Sequence, residues 1–213
     1  MGYQMHNISV LIVEDNLPML EITKALLLTL GVGHVITAQN GEMGFKRFCE
    51  LNPDIVIADW MMKPVDGISL TRIIRNDPAS PNPYVPIILM TGFSEKRRVF
   101  QARDSGVTEF LVKPFNARDL YKRIVQVIER PRQFVKAEGF FGPDRRRQGA
   151  RQGPYQGPMR RENDTSTQPP PFTRDGFAAQ QAEAHTRLDH LRERAGMGKG
   201  DKFNIDPNDI DMV

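Results

Sequence analysis

The chain has 213 residues, 39% of them hydrophobic and 26% charged, with a net charge of +3, the make-up of an ordinary soluble protein with room for one cored domain and a remainder. Residues 8–130 carry 37 Ile, Leu and Val whereas residues 131–213 carry six, which excludes a second hydrophobic core. Cys49 is the single cysteine, and the longest apolar run, Ala25–Leu30, is far too short to cross a bilayer. A disulfide framework, a cysteine zinc site and a membrane span are thereby excluded, and with no basic-then-apolar leader a cytoplasmic protein is expected.

Ile8–Val13 is a continuous β-branched run, the pattern of a strand buried on both faces. Asn16 is placed to cap the next segment, with Pro18 in its first turn. Met19, Ile22, Leu26 and Leu30 then recur at helical spacing up to Gly31. His34–Ala38 reads as a strand, Gly41–Leu51 as a helix, and Asp54–Asp59 as an apolar strand ended by a carboxylate. Asp66–Asn76 has helical spacing, Val85–Thr91 is a fourth strand and Ser94–Asp104 a polar helix. Glu109–Val112 is a short fifth strand, and Asn116–Arg130 a helix with Leu120, Ile124, Val127 and Ile128 on one face. Five strands alternating with five helices predict an α/β fold, a doubly wound five-stranded parallel sheet over residues 7–130.

Ligands of such sheets collect beyond the carboxyl ends of the strands. Glu14 and Asp15 follow the first strand, Asp59 ends the third, Thr91 ends the fourth, and Lys113-Pro114 follows the fifth. Three carboxylates brought together repel unless a cation intervenes, and Mg²⁺ takes a few carboxylates plus water while leaving room for phosphate oxygens. A carboxylate can attack phosphorus to form an aspartyl phosphate, with a lysine and a hydroxyl neutralising the phosphoryl oxygens. Any one of these residues alone reads as a helix cap or a solvated charge; five at five appropriate positions read as a site. A dehalogenase-type phosphatase needs a second Asp two residues after its nucleophile, where this chain has Leu17 or Met61. Gly31-Val32-Gly33 precedes a strand rather than opening a helix, so it is no dinucleotide fingerprint, and His185 and His190, five apart, share no helix face.

The segments VEDN (13–16), IADWMMKPVDG (57–67), LMTG (89–92) and FLVKPF (110–115) resemble those of the bacterial response-regulator receiver domain, a flavodoxin-like fold. The resemblance covers residues 8–130 and implies roles one by one. Asp59 matches the phosphorylated aspartate, and Glu14 and Asp15 the acidic pair that with Asp59 holds Mg²⁺, the Met61 carbonyl being a further ligand. Lys113 matches the phosphate-binding lysine, joined to Pro114 by a cis bond. Thr91 matches the switch hydroxyl and Phe110 the switch aromatic. Two positions depart from the family: Lys63 stands where a proline is usual, with Pro64 after it, and Trp60 follows the phosphoacceptor. The implied function is a two-component phosphorelay response regulator, no enzyme beyond its own phosphorylation and dephosphorylation. It takes its phosphoryl group from a histidine kinase or histidine phosphotransfer protein and signals to a downstream protein.

The remainder divides into a Pro/Gly/Arg-rich linker expected to be disordered (131–175), a thin amphipathic helix (176–195) and an acidic, disordered end (196–213). Phe140–Arg147 (FFGPDRRR) is echoed by Tyr155–Arg161 (YQGPMRR). Arg145, Arg146, Arg147, Arg160 and Arg161 of this repeat form a candidate interaction motif, twice presented. Two alternatives stand beside the signalling reading: a nucleic-acid-binding regulator acting through these arginines, and a phosphate sink without output. The lack of a helix-turn-helix pattern after Arg130 weighs against nucleic acid.

Overall fold

The computed structural model describes residues 5–92, 105–130, 132, 134–137, 140–143, 186 and 189–195. Five strands, β1 (Ser9–Val13), β2 (His34–Ala38), β3 (Ile55–Asp59), β4 (Ile87–Gly92) and β5 (Glu109–Lys113), form one parallel sheet in the order β2-β1-β3-β4-β5. Helices α1 (Leu17–Thr29), α2 (Gly41–Leu51), α3 (Gly67–Asn76) and α4 (Ala117–Glu129) cover it. The inner strands β1, β3 and β4 are apolar and buried over most of their length because both faces are covered. Val10 and Ile12 pack with Leu27, Leu120 and Ile124 on one side, and Leu11 and Val13 with Phe48, Leu70 and Ile74 on the other. The predicted helix over 94–104 lies outside the described residues.

Local chemistry sets the helix starts. Asn16, Asn40, Asp66 and Asn116 each accept a backbone N–H from the first turn of α1, α2, α3 and α4 respectively. In α4, Asp119 returns the bond to the Asn116 backbone, completing a capping box. The face of α1 differs from the expected one. Leu20, Thr23 and Leu27 are buried, while Ile22 and Leu28 are 55% and 52% exposed. Leu17–Thr29 is apolar nearly all round, so its periodicity does not choose a face, and packing against β1 does.

Within 131–175, where the sequence leads to the expectation of a disordered linker, two short segments are described as strands. Strands β6 (Phe134–Ala137) and β7 (Phe140–Pro143) pair antiparallel as a hairpin. Phe134 is buried and meets Tyr84 and Phe141 with ring centroids 5.0 and 5.6 Å away. The Arg75 guanidinium lies 5.0 Å from the Phe134 ring, and its Nε and Nη1 donate to the carbonyls of Gly106 (3.0 Å) and Pro83 (2.7 Å). Composition hid this hairpin: its apolar contact comes from aromatics rather than aliphatics, and its partners lie far back in the chain. Further on, residues 189–194 are helical, and Leu191 and Ala195 pack into the core beside Met5, Ile8 and Ile128. Arg192 donates to the Ile128 and Glu129 carbonyls at the end of α4, and Arg194 pairs with Asp54 at 2.6 Å. Of the amphipathic helix expected over 176–195, the described residues Leu191 and Ala195 thus have the sheet's own base as neighbour. Arg145, Arg146, Arg147, Arg160 and Arg161 lie outside the described residues.

Candidate functional site

The carboxyl ends of β1, β3, β4 and β5 converge on one pole. Glu14 directly follows β1, its N–H bonded to the Ala38 carbonyl at the end of β2. Asp59 is the last residue of β3, in register with Met90 of β4. Thr91 sits beside Val112 and Gly92 beside Lys113 in the β4–β5 ladder. The loop after Asp59 is held from two sides: Trp60 N–H donates to the Met90 carbonyl, and the Trp60 carbonyl accepts from Gly67 N–H. Gly67 allows that closeness, since a Cβ there would stand 2.2 Å from the Asp59 carbonyl oxygen.

Lys113 crosses the pole. Its Nζ donates to Asp59 Oδ1 at 2.8 Å and to Glu14 Oε2 at 2.7 Å. Burial pushes the Glu14 carboxyl above its usual range despite the Lys113 hydrogen bond, with the nearby Asp59 charge acting in the same direction. Burial alone would lower Lys113, but its hydrogen bonds to Asp59 and Glu14 outweigh that and raise it. Glu14, Asp15 and Asp59 each offer an oxygen within 4.8 Å of the others. Three carboxylates against one ammonium leave an excess of negative charge, and the donors are all hard oxygens. That set fits a hard divalent cation such as Mg²⁺.

The structure brings Glu14, Asp15, Asp59 and Lys113 into one cluster. Thr91 is buried in β4, and Phe110 is half-buried in β5 against the core on the α2–α3 side. Met61 follows β3 with its side chain 58% exposed. The Lys113-Pro114 bond is cis as the resemblance implies, and Lys63-Pro64 is cis as well. Lys63 is exposed, while Trp60 is buried in the α2–α3 core. Sequence reasoning missed Arg75 and Glu109. Arg75 is a buried cation whose described partners are carbonyls, and Glu109 is a buried carboxylate that accepts from Gln126 Nε2 at 3.0 Å and Arg132 Nη2 at 2.6 Å. Nothing in their neighbours in sequence separates them from solvated surface charges.

The sequence model of the response regulator receiver domain matches residues 10–125. Chemotaxis protein CheY-3 of Vibrio cholerae is 31% identical over 124 residues, 58% of this chain and 94% of that protein. The phosphate regulon transcriptional regulatory protein PhoB of Pseudomonas aeruginosa is 29% identical, over 57% of this chain and 52% of its own length. Among solved structures, a response regulator receiver domain protein of Clostridium thermocellum matches with a TM-score of 0.52 and 30% identity, over 58% of this chain and 95% of that one. The receiver domain of a Pseudomonas aeruginosa sensor histidine kinase, with a magnesium ion coordinated in its active-site cleft, matches with a TM-score of 0.50 and 28% identity, over 56% and 94%. No helix among the described residues is long and apolar enough to cross a membrane.

Proposed function

The chain belongs to the response regulator receiver family, and from that premise we propose that it is a cytoplasmic phosphorelay switch whose phosphoacceptor is Asp59. The observation that carries this reading is Lys113 Nζ bonded to both Asp59 and Glu14, with Asp15 completing the acidic group at the strand ends. An Asp59 carboxylate oxygen attacks the phosphorus of a phosphohistidine on a histidine kinase or phosphotransfer protein. The new P–O bond replaces the P–N bond, and the imidazole leaves and takes a proton. Glu14, Asp15, Asp59 and the Met61 carbonyl would hold Mg²⁺, which when bound would neutralise charge on the phosphoryl oxygens. Lys113 moves its donation to the phosphoryl group, and the Thr91 hydroxyl turns toward the same oxygens while Phe110 follows it inward. Trp60 is packed in the α2–α3 core. The chain turns over no substrate beyond its own aspartyl phosphate, and its output is a change in what its surface binds. Incubation with Mg²⁺ and a small phosphodonor is expected to add one phosphoryl group to the intact chain, none to Asp59→Asn. Equal modification of the two proteins would overturn the assignment.

A further inference from the structure

The hairpin is seated on the ends of three elements whose other ends build the site. Arg75 lies near the end of α3, Tyr84 in the loop that leads into β4, and Gly106 just before β5. Phe134 covers Arg75, and Tyr84 stacks edge-on to Phe134 and Phe141 at 5.0 and 5.2 Å. Gly106 has φ +94°, and a Cβ there would stand 3.0 Å from the Phe141 carbonyl oxygen, so the absent side chain admits the hairpin backbone. Arg132, at the root of the hairpin, pairs with Glu109 at 2.6 Å. At the opposite ends, α3 starts at Gly67 against the Asp59 carbonyl, β4 carries Thr91, and β5 finishes in Lys113. Glu109 and Lys113 are the two ends of one strand about 13 Å long.

Resting on the reading of Asp59 as phosphoacceptor, we infer that the surface formed by Arg75, Tyr84, Gly106 and Glu109 is the output surface of the receiver. Its partner is the chain's own hairpin, seated while Asp59 is unmodified and released when Asp59 carries a phosphoryl group. The grip suits release. Among the described residues the buried Arg75 cation has no carboxylate paired with it, and its Nη2 has no acceptor. Such a contact holds only while the ring of Phe134 and the two carbonyls stay in register. Phosphoryl oxygens at Asp59 give Lys113 a new partner and end its present bond to the free carboxylate. A strand that follows Lys113 carries Glu109 with it and loosens Arg132. Binding at one end and seating at the other are then linked, and the linkage is reciprocal.

Hydrogen exchange of the full chain, with Mg²⁺ alone and with Mg²⁺ plus beryllofluoride as a reversible phosphoryl stand-in, tests this. With the stand-in bound, the amides of 134–137 and 140–142 are expected to exchange about fivefold faster or more, the lower end of ordinary site–site coupling. Reciprocally, Phe134→Leu and Arg132→Gln are expected to bind beryllofluoride more tightly than the unaltered chain. If Phe134→Leu fails to fold, Arg132→Gln decides, because its described side-chain contact is the Glu109 carboxylate and it takes no part in the aromatic packing. Unchanged or slower hairpin exchange in a chain that demonstrably binds beryllofluoride overturns the inference alone. So do variants of unaltered affinity. No binding to the full chain, or equal binding to Asp59→Asn, overturns the phosphoacceptor reading and the inference with it.

Discussion

At Lys113 a single ammonium holds two carboxylates, Glu14 and Asp59, that would otherwise repel each other. Replacing it by Met leaves those two buried charges facing one another. Without metal, Lys113→Met is expected to lower stability by about 1–3 kcal/mol, less than a fully buried pair because the lysine is partly exposed. Saturating Mg²⁺ restores part of the loss by supplying the missing positive charge, and urea melts with and without the ion measure this. The pH dependence has a definite sign. Lys113 is raised in the folded state, so it binds its proton more tightly there than in the unfolded chain. Its contribution is therefore fully present below its ordinary 10.5 and is lost as pH rises through the higher folded value. The stability gap between the unaltered chain and Lys113→Met is expected to stay level across neutral pH and to narrow only at strongly alkaline pH. A gap that closes near neutrality contradicts the raised lysine. Residue types at strand ends made this cluster readable in the sequence, because acids and a lysine at those places have few structural uses. Arg75 had no such marker. Its burial is created by Phe134, some sixty residues further on, and no local pattern reports a contact of that range.

Elements differ in how much they announce. Helix α4 shows its buried face in sequence because Leu120, Ile124, Val127 and Ile128 stand among charged neighbours. Helix α1 does not, since it carries apolar residues on every side and only β1 selects Leu20, Thr23 and Leu27. The start of α3 depends on a single missing side chain. Gly67→Ala would drive a Cβ into the Asp59 carbonyl, whose backbone cannot swing aside as a flexible side chain would. That substitution is expected to cost roughly 1–3 kcal/mol, as overpacking does, and to slow phosphorylation of Asp59 out of proportion to its effect on the melting curve. A Gly67→Ala chain that melts and phosphorylates normally would mean that the α3 start is not tied to the site. Truncation after Arg130 tests the other end. The parallel sheet and its aliphatic core precede that point, so the shortened chain is expected to fold cooperatively. It loses the burial of Phe134 and Leu191, each worth at most ~1.5–3 kcal/mol before the entropy of ordering the tail is subtracted. A lower urea midpoint with a single sharp transition is the expected result. An unfolded product would make the hairpin and the last helix indispensable parts of the core.

On the scale of the molecule, the acidic pole and the tail contacts lie at opposite ends of the same strands. Trp60, the one tryptophan of the chain, adjoins Asp59 and is almost fully buried. Its emission is expected to change saturably as Mg²⁺ is added, and Asp15→Asn to shift that titration to higher metal concentration by removing one hard donor. A titration unaffected by Asp15→Asn would place the cation elsewhere. The order β2-β1-β3-β4-β5 also bears on how the chain is made. Of the five strands the first to be made, β1, lies inside the sheet, and its two neighbours, β2 and β3, are the next two to appear. By the time Asp59 has been added, three adjacent strands, β2-β1-β3, are present, and β4 and β5 then join in turn at the β3 side. Parallel pairing is slow because every partner is separated by a crossover, and domains fold from the N-terminal side during synthesis. Growth from this three-stranded start toward a single edge gives the nascent chain only one place to add each new strand. The hairpin, seated on elements that arrive after this start is complete, is the last piece the ribosome supplies before the long remainder of the tail.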